Sequence, residues 1–175
     1  GYVPSSARAA KATVDVTLNT TDSTATMPAG TVFNTTVDDT TFQFSTIESF
    51  TKSNTGNSIP FVGVDIFEGT FITTRYTVDT SDIDQRFLLT DNRADTSTLI
   101  VKVQTSSTDS SSNTFTEATD ITQVTAGSNV FFLQEVEAGL FEVYFGDGVI
   151  GTALSDDNIV ILTYVVSNKT AANGA

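Results

Sequence analysis

The chain has no cysteine, no histidine and no tryptophan, and only 8 basic residues against 21 acidic ones. Without Cys there can be no disulfide staple and no thiolate metal site. Without His, the Ser-His-Asp and Cys-His nucleophile systems are excluded, as are imidazole-ligated metals. Without Trp, an aromatic platform for a sugar would have to be Tyr or Phe. The net charge of −13 is the wrong sign for a duplex-binding protein, because affinity for nucleic acid comes from neutralising phosphates. It disfavours an anionic membrane surface for the same reason. No apolar run approaches the roughly 20 residues a membrane-spanning helix needs, and no signal-peptide pattern is present. No nucleic acid, no membrane span and no cofactor are therefore expected, and no enzymatic activity. The acidity itself has two readings, solubility or a basic neighbour in an assembly.

What is present is β-sheet chemistry. The apolar 39% is mainly Val, Ile and Phe, with abundant Thr, the residues that fit a pleated surface. A chain of 175 residues can bury about 70% of its unfolded surface without a staple. The centre of the pattern is the stretch from Asn129 to Val166, with strands expected at Val130–Val136, Leu140–Phe145 and Ile159–Val166. Glu137-Ala138-Gly139 turns the chain after the first. Gly146-Asp147-Gly148 closes the second, and Asp-Gly between apolar strands predicts a type I′ hairpin. Ile159–Val166 is apolar on both faces and is expected to be buried on both.

Upstream, Ala12–Leu18 alternates as a half-buried strand. Met27–Thr31 reads as a turn with Pro28 at its second position, and Thr31–Asn34 and Thr41–Ile47 as strands that place Phe33, Phe42 and Phe44 in the core. Phe61–Phe67 and Thr70–Val78 form a second predicted hairpin joined at Glu68-Gly69, with Val62, Val64 and Ile66 sharing a face. Phe87–Leu89 and Leu99–Gln104 are further strands, and Thr105–Thr114 is a low-complexity loop expected to be open to proteases. About a dozen short strands with close turn signals predict an all-β antiparallel sandwich or barrel-like domain. The expected division is an arm or linker at 1–11, a β domain at 12–168 with possible lobes 12–80 and 81–168, and a C-terminal linker at 169–175. The Gly1 start and the Asn-Gly-Ala end suggest a segment of a longer polypeptide.

Carboxylates supply the remaining candidates for chemistry. Glu135 and Glu137 sit two apart, with Glu142 opposite in a hairpin. Such a pair could serve a glycosidase, but solvated charge on an exposed sheet face explains it as well. Asp79/Asp82/Asp84 and Asp156/Asp157/Asn158 offer oxygen ligands of the kind calcium takes, without EF-hand spacing.

The runs FFLQEVEAGLFEVYFGDGVIG and NIVILTYVVSNKTAANG, with GYVPSSARAAKATVDV at the start and RFLL between, resemble the baseplate J-like family of contractile phage tails. Among its members, the wedge proteins that ring the hub in T-even-like phages are the most similar. The likeness touches most of the chain, more loosely in the middle than at the ends. It implies a structural part of the virion, assembled in the host cytoplasm, that forms a homo-oligomeric ring and contacts other baseplate wedge subunits. Two stretches become candidate interfaces. One is the arm, with Tyr2, Val3, Pro4 and Arg8, which otherwise reads as a linker. The other is the hairpin tip, Phe145, Gly146, Asp147, Gly148 and Val149, which otherwise reads as a tight turn. A host-receptor or carbohydrate-binding β module is the alternative.

Overall fold

The computed structural model describes residues 5–168. Tyr2, Val3 and Pro4 of the arm and the expected C-terminal linker lie outside them. The protein is all-β, with strands β1 (Lys11–Asn19), β2 (Thr24–Met27), β3 (Val32–Val37), β4 (Thr40–Ser45), β5 (Phe50–Ser53), β6 (Ser58–Glu68), β7 (Thr70–Thr77), β8 (Phe87–Leu89), β9 (Ala94–Gln104), β10 (Ser112–Glu117), β11 (Val130–Glu135), β12 (Phe141–Phe145) and β13 (Ile159–Val166). Two short 3-10 turns, Ile121–Gln123 and Glu137–Gly139, complete it. The sheets run β1-β6-β4-β3, β7-β13-β9-β10-β11-β12-β8 and β2-β5. Antiparallel pairing dominates, although β10 and β11 run parallel. No helix among the described residues is long and apolar enough to cross a membrane.

The chain folds into two compact units that follow no single cut in the sequence. An amino-terminal unit takes Ala7–Ile72, Asp95–Thr98 and 164–168, and a carboxy-terminal unit takes Thr73–Ala94 and Leu99–Thr163.

In the amino-terminal unit, β1 shows the expected alternation, with Ala12, Val14 and Val16 half-buried, but Leu18 is exposed. Its partner β6 departs from simple alternation. Ile59, Phe61, Val64 and Ile66 point into a core with Met27, whereas Val62 is 71% exposed. Val62 therefore does not share a face with Val64 and Ile66, contrary to the sequence expectation. The cause is a β-bulge. Val14 pairs with Val64 but Val16 pairs with Phe61, so Val62 and Gly63 together oppose Asp15. Gly63 takes φ 70°, a conformation that favours glycine, and its N–H donates to the Asp15 carboxylate at 2.8 Å.

Turn chemistry also differs from expectation here. The type I′ geometry lies at Asp38-Asp39 (φ 46° and 62°) between β3 and β4, where Val37 pairs with Thr40. Near Pro28 the Thr31 N–H donates to the Pro28 carbonyl at 3.2 Å, with Gly30 at φ 80°. Proline thus opens the turn and does not occupy its second position. Phe33, Phe42 and Phe44 are half-buried, and Phe33 and Phe44 pack on the core cluster.

The predicted hairpin at Glu68-Gly69 is absent. β6 pairs with β1 and β4, while β7 lies beside β13 in another sheet. Gly69 (φ 134°) makes a corner, with its N–H donating to the Gln43 carbonyl at 2.9 Å. Two carboxylates are buried in this unit, one of them next to the corner. Glu68 accepts from Ser167 Oγ at 2.8 Å. Asp95 accepts from the Ala9 N–H at 2.9 Å and from Ser97 N–H and Oγ at 2.9 and 2.6 Å.

In the carboxy-terminal unit, Leu89, Val101, Val143, Val160 and Leu162 are fully enclosed. β11 and β12 form the expected hairpin, Phe131 pairing with Phe145 and Glu135 with Phe141. Ala138 (φ 61°) and Gly139 (φ 71°) turn the chain between them. The Ser/Thr loop after β9 is closed by Thr105 N–H donating to the Ser111 carbonyl at 2.9 Å. The end strands of the seven-stranded sheet approach one another through Tyr76, whose hydroxyl donates to the Leu88 carbonyl at 2.7 Å. The sheet is nearly closed into a barrel, as an all-β protein must do to hide its edges.

Candidate functional site

The Gly146-Asp147-Gly148 segment does not form a hairpin. β12 pairs with β11 and β8, and β13 lies between β7 and β9. A two-residue turn cannot link strands that are not neighbours, and Asp147 lacks the positive φ that type I′ requires. The segment instead opens a compact loop. The Asp147 carboxylate accepts from the N–H groups of Val149 and Ile150, both at 2.9 Å. These two donors hold its pKa below the usual carboxylate range. Gly148 N–H donates to the Gly151 carbonyl at 3.0 Å. The loop is tied down by Gly151 N–H to Thr125 O at 3.1 Å and Thr152 N–H to Ser128 O at 2.9 Å. Gly146 bridges to Ala153, and a Cβ at Gly146 would strike the backbone of Ile150 and Gly151.

Held by these hydrogen bonds, the loop presents apolar side chains to solvent. Val149 is 73% exposed and Ile150 41%. Phe145 behaves differently from the exposed contact residue the sequence suggested. It is half-buried and meets Phe115 and Phe87 edge-on, with ring centroids 5.5 and 5.6 Å away. Phe87 meets Tyr76 in the same way at 5.6 Å. Phe145 thus anchors the base of the loop, a role its place at the end of an alternating strand is consistent with. Gly146 is half-buried, and Asp147, Gly148 and Val149 are exposed. Arg8 of the arm is exposed and belongs to the other unit.

A cleft of about 520 Å³ adjoins the loop, its walls including Ile83, Arg86, Tyr144, Phe145 and Leu154. Arg86 and Glu142 in its wall are paired, whereas the Asp84 carboxylate, also in the wall, has no ion pair among the described residues. Arg86 reaches Glu142 with Nε at 2.9 Å and Nη2 at 2.7 Å, and Glu137 with Nη1 at 2.7 Å. Hydrogen bonds donated to Glu137 and Glu142 raise the Arg86 pKa, and the guanidinium lowers that of Glu137. Partial burial, with a hydrogen bond to Glu142, pushes up the Tyr144 hydroxyl. Glu142 was expected to be solvated, yet its side chain is only 6% exposed. It lies between Phe141 and Val143 in β12 and is neutralised by Arg86. The sequence signal for this pair was an Arg at the foot of one apolar strand and a Glu inside another.

The other acidic groups mostly tie loops together. Asp79 accepts from Ser81 N–H at 2.9 Å, Asp82 from Asp84 N–H at 3.0 Å and Asp156 from Thr80 N–H at 3.0 Å. Among the described residues, no group of three or more His, Cys, Asp or Glu side chains is gathered to hold a metal ion. No family model matches the chain, and a search of curated proteins found no match either.

Proposed function

We propose that this chain is a structural β domain of a contractile phage tail baseplate, acting by contact within a ring of wedge subunits. One observation carries the reading. The loop at 146–154 is held by hydrogen bonds from five of its N–H groups and still exposes Val149 and Ile150. An ordered apolar tip on a protein of charge −13 suits docking to another subunit better than it suits solvent. The resemblance to the baseplate J-like family supports the same reading, since that likeness includes the residues that build the loop. Copies of this chain and other wedge subunits are the partners, and the virion is the location. Interfaces that must rearrange on contraction favour two alternative packings of similar energy over one deep minimum, and a small loop of this kind can supply such a contact.

The test is quantitative mass spectrometry of purified tail particles, normalised to the major tail protein. The sequence should appear at a small multiple of the sixfold tail symmetry. Absence from the particle, or fibre-like copy number with antibody access on the intact virion, would overturn the reading in favour of receptor binding.

A further inference from the structure

The amino-terminal unit carries a second recess, about 350 Å³ in volume, whose wall is formed by Ile47, Glu48, Phe50, Gly63, Asp65 and Phe67. It is separate from the loop and cleft described above. Two aromatic rings and two carboxylates around a small volume are the chemistry that receives an organic cation. The bulge at Gly63 helps to make the site. A residue in that conformation with no neighbour within 4 Å of a Cβ position leaves the wall open.

The molecule already shows what these groups attract. Lys11 stands opposite Phe67 in the β1–β6 register. Its Nζ lies 2.8 Å from Asp65 Oδ2 and 5.9 Å from the centroid of the Phe67 ring. Asp65 also accepts from Thr13 Oγ1 at 2.8 Å. A carboxylate can accept about four hydrogen bonds, so Asp65, which lines the recess, keeps acceptor capacity. Glu48 is exposed and, among the described residues, has no ion-pair partner.

We propose that this recess is a docking site for a basic side chain, lysine or arginine, of a protein partner. The cation would sit against Phe50 and Phe67 with Glu48 and Asp65 as counter-charges. The choice of occupant follows from charge. The chain has 21 acids and 8 bases, so a partner presenting a basic residue is complementary where a neutral one is not.

The test is a titration of the full chain with N-acetyl-arginine amide at low ionic strength, followed through the NMR resonances of the Phe50 and Phe67 rings. N-acetyl-citrulline amide, equal in shape but uncharged, is the control. Saturable shifts of both rings are expected with the arginine probe, at least tenfold weaker with citrulline. Glu48→Gln, which touches no other charge, should weaken binding about fivefold. Lys11→Met, which releases Asp65, should tighten it. An absent response, an equal response to citrulline, or binding indifferent to Glu48→Gln would overturn the proposal. None of these outcomes bears on the loop at 146–154, so the two readings fail independently.

Discussion

The two units handle charge in opposite ways at the surfaces they offer. In the carboxy-terminal unit most ionic groups around the cleft are spent internally: Arg86 binds Glu137 and Glu142, and Asp147 binds the backbone of its own loop, with Asp84 the exception among the described residues. The apolar side chains left exposed there include Val149, Ile150 and, in the cleft wall, Ile83. In the amino-terminal unit Asp65 is only partly engaged and Glu48 has no ion pair among the described residues, so an acidic aromatic recess remains. The difference teaches that an acidic protein need not bind through its charge. Where carboxylates are neutralised within the fold, contact falls to apolar side chains, and only open carboxylates can select a cation.

Glycine separates the units most strongly. Gly146 is required because its Cβ would overlap the backbone of Ile150 and Gly151. Gly146→Ala should lower unfolding stability by about 3 kcal/mol, as overpacking against backbone does. Gly63 needs only its φ of 70°, with open space around it. Gly63→Ala should cost about 1 kcal/mol, the strain of a left-handed alanine. Urea denaturation measures both, and equal losses would erase the distinction.

The ion pairs give the next contrast. Removing Arg86 leaves Glu142 enclosed without its cation, a change that destabilises far more than breaking an exposed pair. Arg86→Met should therefore lower the thermal midpoint measurably. Lys11→Met breaks a pair whose side chains are 53% and 44% exposed, and its midpoint should stay nearly unchanged. A larger loss at Lys11 than at Arg86 would reverse the assignment of which unit keeps its charges inside.

A smaller effect concerns acid. Asp147 has its folded pKa depressed by the Ile150 and Val149 N–H groups. Its contribution is thus fully present above the unfolded value of about 3.9 and lost as pH falls through the lower folded value. Amide hydrogen exchange at Val149 and Ile150 should stay slow down to about pH 4 and quicken below it. In Asp147→Ala it should be fast throughout.

The sequence displayed the strands and hid several of their partners. Period-two alternation marked β1, and the doubly apolar run marked β13 as buried. The β11–β12 hairpin was legible from Glu137-Ala138-Gly139. Both false hairpins, at Glu68-Gly69 and Asp147-Gly148, carry proper turn residues. Yet at Gly69 the chain changes sheets, and after Asp147 it crosses to a distant strand. The turn that is type I′ holds Asp38-Asp39, a pair that tolerates left-handed φ less readily than Asn-Gly and so signals a turn only weakly. Turn chemistry reports that the chain can bend. Which strand it then joins is decided by long-range packing, and that is written in no local window. Val62 was misplaced for a related reason: a bulge shifts the alternation by one residue, and Gly63 inside a strand was its only local sign. The candidate site was half legible. Asp147 and Val149 are exposed in a loop where a hairpin tip was expected, and the Arg86–Glu142 pair joins residues 56 apart in sequence.

The account stands most directly on the loop tip. The proposed baseplate role is tested by introducing Val149→Asp with Ile150→Asp into this chain in tail-forming particles and counting assembled tails by electron microscopy. These exposed positions should change stability by no more than about 0.5 kcal/mol. The purified variant should therefore melt as the parent does while intact baseplates fall at least tenfold. A folded variant that yields baseplates at the parental level would contradict the claim that this surface joins the protein to its neighbours.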